Sequence, residues 1–97
     1  MLTEAQAKKI AIKETQYCYI LSQAWEGNYQ DSICLERIFT KDCSKEEIRL
    51  AWWANNKQAL RPADIDAIDW VDLFSRAVKN NVFNDTEKLG MIKTLLK

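Results

Sequence analysis

Tyr17-Cys18-Tyr19-Ile20-Leu21-Ser22-Gln23-Ala24-Trp25-Glu26 is the stretch on which the fold turns. It is mostly apolar and contains neither Gly nor Pro, the residues that punctuate structure. Wound at about 100° per residue with the segment before it, it places Ala7, Ile10, Ala11, Tyr17, Cys18, Leu21, Ala24 and Trp25 on one arc. Upstream, Thr3 and Gln6 have capping-box spacing, and Gly27 stands where a left-handed residue would close a helix. The spacing predicts a helix from Thr3 to about Glu26, roughly 35 Å long at about 1.5 Å per residue.

Outward from this stretch, caps and apolar spacing predict four more helices. A second covers about Tyr29 to Thr40 through Ile33, Leu35, Ile38 and Phe39, with Asn28 or Asp31 as cap. Ser44 and Glu47 have the clearest capping-box spacing and start a third through Ile48, Ala51 and Trp52 to about Asn56. Leu60-Arg61-Pro62 ends that region, because the residue before proline is disfavoured in helical geometry. Asp66 or Asp69 caps a fourth carrying Ile68, Val71, Leu73, Phe74, Ala77 and Val78, stopped by Asn80-Asn81. Asn84 and Glu87 cap a fifth holding Leu89, Ile92, Leu95 and Leu96, with Lys93 and Lys97 at the end the helix dipole favours. No stretch reads as sustained period-two alternation. The expected fold is all-α: one domain over residues 1–97, a compact bundle of about five helices with a long first helix.

Composition excludes most catalysis. The chain has 97 residues, 14 Lys+Arg against 14 Asp+Glu, three Cys and no His. Without histidine, Ser-His-Asp and Cys-His arrangements and imidazole metal sites are absent. Cys18, Cys34 and Cys43 form no C-x-x-C pair and no zinc set, and read as small buried hydrophobes. No run of about 18 apolar residues occurs, which predicts a soluble, cytoplasmic protein. No cofactor and no enzymatic activity are expected; an enzyme would have to rely on carboxylates such as Glu14, which falls inside the apolar arc of the first helix. There it is either a satisfied structural carboxylate or part of a polar pocket.

Several features suit a binding surface instead. Ala5, Ile12 and Tyr19 repeat at heptad spacing as a second stripe on the first helix, for packing within the domain or for self-association or a partner. Trp52 and Trp53 are adjacent, so on a helix they point about 100° apart. Trp52 aligns with Ile48 and the core, whereas Trp53 aligns with Leu50 as a second core contact or an interface anchor. Asp64, Asp66, Asp69 and Asp72 contain no base between them and lack the glycine and glutamate of an EF-hand loop. They serve as helix-start acids or as a charged rim facing a basic partner. Arg76, Lys79, Lys88, Lys93 and Lys97 give the last quarter a basic excess, yet the overall pI is about 6.2, below that of a dedicated nucleic-acid binder.

Ile48-Arg49-Leu50-Ala51-Trp52-Trp53-Ala54-Asn55 also carries a resemblance. Together with Leu35-Glu36-Arg37-Ile38-Phe39 before it, and the acidic stretch, apolar helix, Val82-Phe83-Asn84-Asp85 and Leu89-Gly90 after it, the segment resembles small uncharacterised helical proteins of bacterial prophages and plasmids with a central A-W-W motif. The resemblance spans residues 35–96, with a shorter segment before the tryptophans and a weaker turn at residues 57–60. It implies a mobile-element setting, in which proteins of this size act by binding another protein, including inhibition of host defence complexes in the manner of anti-CRISPR proteins. The expected function is therefore protein binding through Leu50 and Trp53, Ile12 and Tyr19, with Asp64, Asp66 and Asp69 as rim. The alternative is a small nucleic-acid-binding regulator using the basic C-terminal quarter.

Overall fold

The computed structural model describes residues 1–26, 32–55, 57–59 and 65–97. It overturns the all-α expectation: the described residues form a mixed α/β fold built on one antiparallel sheet. The order is α1 (Glu4–Ile10), β1 (Lys13–Glu14), β2 (Cys18–Glu26), β3 (Ile33–Thr40), β4 (Glu46–Ala54), β5 (Lys57–Ala59), α2 (Ala67–Lys79) and α3 (Asp85–Leu95). The strands lie side by side in chain order.

The long first helix is seven residues of helix followed by strand. Thr3 and Gln6 do form their capping box, but the turn ends at Ala11 in extended geometry. The second and third expected helices are β3 and β4. Ser44 fails as a helix cap because its φ is 53°, left-handed rather than the extended geometry a cap needs. It instead closes the turn joining β3 to β4, with its N–H on the Thr40 carbonyl at 2.9 Å. Asn55, at the same φ, follows β4, in a conformation that asparagine tolerates better than most residues.

Strand periodicity was hidden because β2 and β3 are buried on both faces. One face carries Cys18, Ile20, Cys34, Ile38, Ala51 and Trp53, with Trp25 against them. The other is covered twice. Ala7 of α1 packs with Tyr19 and Phe39, and Leu73 and Ala77 of α2 pack with Ala24, Leu35, Val82 and Phe83. A strand buried on both sides reads as a continuous apolar run, which sequence periodicity cannot separate from a helix. The irregular register between Ile20 and Ser22 further breaks the alternation of β2.

The sheet curls into a half-barrel. In a flat sheet β1 and β4 would stand about 14 Å apart, yet the Lys13 ammonium of β1 lies 4.8 Å from the Trp53 ring centre on β4. The core face is thus concave.

The two C-terminal helices match the sequence reading. Asn84 and Glu87 form the expected capping box of α3, whereas Asp66 stands at the N-cap of α2 without a side-chain cap bond. No helix among the described residues is long and apolar enough to cross a membrane.

Candidate functional site

Among the described residues, the concave face of the sheet and the seam between α2 and α3 combine chemistry with shape. On the concave face, Glu36 of β3 is completely buried. Its register partners are Gln23 on β2 and Arg49 on β4, so strand pairing delivers a donor from each side. Gln23 Nε2 donates at 2.5 Å, Arg49 Nε at 2.7 Å and Trp53 Nε1 at 3.0 Å. A buried carboxylate is costly unless paired and bonded in this way. Above it, Trp25 and Trp53 stand 6.4 Å apart at 60°, and Lys13 Nζ lies 5.3 Å from one ring centre and 4.8 Å from the other.

This arrangement holds a core together and does not suit proton transfer, because donors engage both Glu36 oxygens. Burial pushes the neighbouring Cys34 thiol far up, with the Glu36 charge adding to the effect, so it is not a thiolate at neutral pH. Cys18 is buried as well. Cys43 is exposed, which corrects the expectation that all three thiols are internal.

The second place is a groove of about 510 Å³ between the last two helices, lined by Phe74 of α2 and by Glu87, Gly90, Met91, Thr94 and Leu95 of α3. Its walls are chiefly apolar. Phe74 stacks on Phe83 at 5.5 Å, and Gly90 leaves the wall bare: a Cβ there would meet nothing within 4 Å. Glu87 marks the polar rim. Arg37 Nη1 donates to it at 2.8 Å and to the Val82 carbonyl at 3.0 Å, while Arg37 Nε reaches Glu46 at 2.9 Å. Burial works against ionisation, yet the bonds from Arg37 and the Asn84 amide hold the Glu87 carboxyl below its ordinary range.

No family model, curated protein or solved structure matches this chain. The site therefore rests on geometry alone.

The structure scatters the residues singled out from sequence. Trp53 is buried on the concave face, so it is a core residue and a donor to Glu36. Leu50 lies on the opposite face of β4, 37% exposed beside Ile48. Tyr19 is buried against Phe39, with its hydroxyl donating to Glu4 at 3.1 Å; burial and that bond push its phenol up. Ile12 is exposed between α1 and β1. The Ala5-Ile12-Tyr19 stripe does not exist as a surface, because its members fall on a helix, a connection and a strand. Glu14 belongs neither to the Glu36 network nor to the groove: it is exposed and takes a 2.6 Å bond from Lys41, which lowers its pKa.

Asp66 and Asp69 are exposed at the start of α2; Asp64 lies outside the described residues. In the basic quarter, Arg76 is tied to Asp72 at 2.9 Å and to the Trp25 carbonyl at 3.0 Å. Lys88 lies 3.9 Å from Asp85. Sequence reasoning missed the Glu36 network, Arg37 and the Gly90 groove. A lone glutamate inside the apolar run Ile33 to Phe39 was the available signal for the first. Gly90 in mid-helix, where glycine costs about 1 kcal/mol relative to alanine, was the signal for the last.

Proposed function

We propose that the chain is a non-enzymatic protein-interaction module whose partner seats aliphatic or aromatic side chains in the groove between α2 and α3. The carrying observation is the groove itself: about 510 Å³, chiefly apolar, open at Gly90 and framed by a helix that buries none of its own residues. Ligand clefts of this kind combine apolar walls with a few placed polar groups, here Glu87. In a mobile-element setting such a module acts by occluding a larger protein, host defence complexes included.

A photo-cross-linking residue at Thr94, compared with one at Lys9 on α1, tests this in the native cell. A protein adduct specific to position 94 is expected, lost when Gly90→Trp fills the groove while the helical circular dichroism is kept. No adduct, or one that persists with Gly90→Trp, overturns the reading. A nucleic-acid adduct at position 94 would favour the regulator alternative.

A further inference from the structure

The α2–α3 pair has a second surface that the groove does not use. Leu89, Ile92 and Leu96 repeat at i, i+3 and i+7 along α3, and Ile68 and Val71 share a face of α2. At about 100° per residue, this α3 stripe falls on the flank opposite Gly90 and Thr94. We infer that this face binds a second copy of the chain, in a twofold dimer in which α2 of each copy lies along α3 of the other. The inference does not rest on the groove reading.

Three observations carry it. The first is area. Ile68, Val71, Leu89, Ile92 and Leu96 are each between 53% and 81% exposed. Together they present apolar surface on the order of 600 Å², at the upper end of what monomers leave open and most of the roughly 800 Å² per partner of a standard interface. The second is the state of α3. It has 11 residues and none is buried. A helix this short is marginal without tertiary packing, and Arg37 on Glu87 and Phe74 beside Met91 and Leu95 engage the flank away from the Leu89 stripe.

The third is the order of charge. Phe74 and Val78 of α2 and Lys88, Met91, Ile92 and Leu95 of α3 line one cavity, and the short connection of residues 80–84 turns the chain back on itself, so α2 and α3 run antiparallel. Along α2 the charges run Asp66, Asp69, Asp72, then Arg76, Lys79; along α3 they run Asp85, Glu87, then Lys93, Lys97. A twofold axis parallel to the helices brings the same ends of the two copies together. The acidic start of α2 then faces the basic end of the other copy's α3, and Lys79 faces its Asp85. The exchange is reciprocal, as an isologous interface requires. Electrostatics of this kind fix register more than they add affinity.

Sedimentation of the full chain, from low micromolar to about millimolar, tests the inference. A reversible monomer–dimer equilibrium is expected. Leu89→Asp/Leu96→Asp should weaken it by at least about 100-fold, with unchanged circular dichroism because both side chains are exposed. Asp69→Lys/Asp72→Lys and Lys93→Glu/Lys97→Glu should each weaken self-association, and their equimolar mixture should restore dimers, because each variant then meets the opposite charge. Gly90→Trp should dimerise like the parent, which separates this surface from the groove. A monomer at every concentration overturns the proposal, as does a dimer indifferent to Leu89→Asp/Leu96→Asp. A charge-reversed mixture that stays monomeric overturns the α2-against-α3 arrangement.

Discussion

Arg37 and Glu87 are joined by two hydrogen bonds, 2.8 Å and 3.4 Å long, that fasten the middle of the sheet to the first turn of α3. Glu87 serves two structures at once, since the Asn84 amide also donates to it at 2.8 Å. Glu87→Gln should keep the cap, which glutamine can make, and lose the ion pair. Arg37→Met removes the donor to Glu87, Glu46 and Val82 together and should cost on the order of 2 kcal/mol, read by chemical denaturation.

The same pair sets a pH dependence. The Glu87 pKa is lowered on folding: burial opposes ionisation, and the bonds from Arg37 and Asn84 outweigh it. Its stabilising contribution is therefore complete above the unfolded carboxyl value of about 4.3 and is lost as pH falls through the lower folded value. Stability measured from pH 7 down to about 2 should fall more steeply for the parent than for Glu87→Gln. Parallel curves would remove Glu87 as a contributor.

Glu36→Gln is expected to be the most damaging near-isosteric change in the sheet. The carboxylate accepts from three donors, and an amide presents its own N–H₂ to at least one of them. Arg49 also loses its counter-charge. Breaking a buried pair from one side costs about 3–5 kcal/mol, and the partial exposure of Arg49 puts the expected loss near the lower end. Thermal unfolding followed by tryptophan emission would show it, since Trp53 belongs to the network.

How much of this was legible in the sequence depended on how many faces each element buries. α2 was readable because Leu73 and Ala77 give it one core-facing side, and α3 because the Asn84-Glu87 box formed as spaced, as did the Thr3-Gln6 box of α1. β2 and β3 were unreadable because helices cover one face while the concave core fills the other. In β4 the alternation is disguised: Arg49 points inward to Glu36, while Ile48 and Leu50 on the other face are partly exposed. Inward polar and outward apolar residues cancel the period-two signal. Ser44-x-x-Glu47 then supplied a false start, since the same spacing is compatible with a turn and a strand. The site suffered likewise, because a helical angle that Trp53 does not have left it open between a core contact and an interface anchor, and the strand puts it in the core.

Lys13 offers a local probe of the curl. Its ammonium is near both Trp25 and Trp53, an interaction worth about 0.5–2 kcal/mol depending on desolvation. Lys13→Met keeps an aliphatic stem over the rings and removes the charge. The expected result is a changed tryptophan emission with a stability loss within that range. An unchanged spectrum would mean that β1 and β4 do not approach each other at this residue.

Gly90→Ala should stabilise the protein. Glycine in a helix interior costs about 0.5–1 kcal/mol relative to alanine, and it is normally retained where something presses on the bare Cα. Nothing does here: an added Cβ would stand clear of every neighbour by 4 Å. The methyl group therefore brings its helical preference without strain, and a gain near 1 kcal/mol should raise the melting temperature by about 4–8 °C for a domain of this size. Because one methyl occupies little of the groove, partner cross-linking from Thr94 should survive Gly90→Ala and disappear with Gly90→Trp. If Gly90→Ala is more stable yet also loses the adduct, the partner's backbone must approach the Gly90 Cα directly, and the glycine is kept for binding at the expense of the helix.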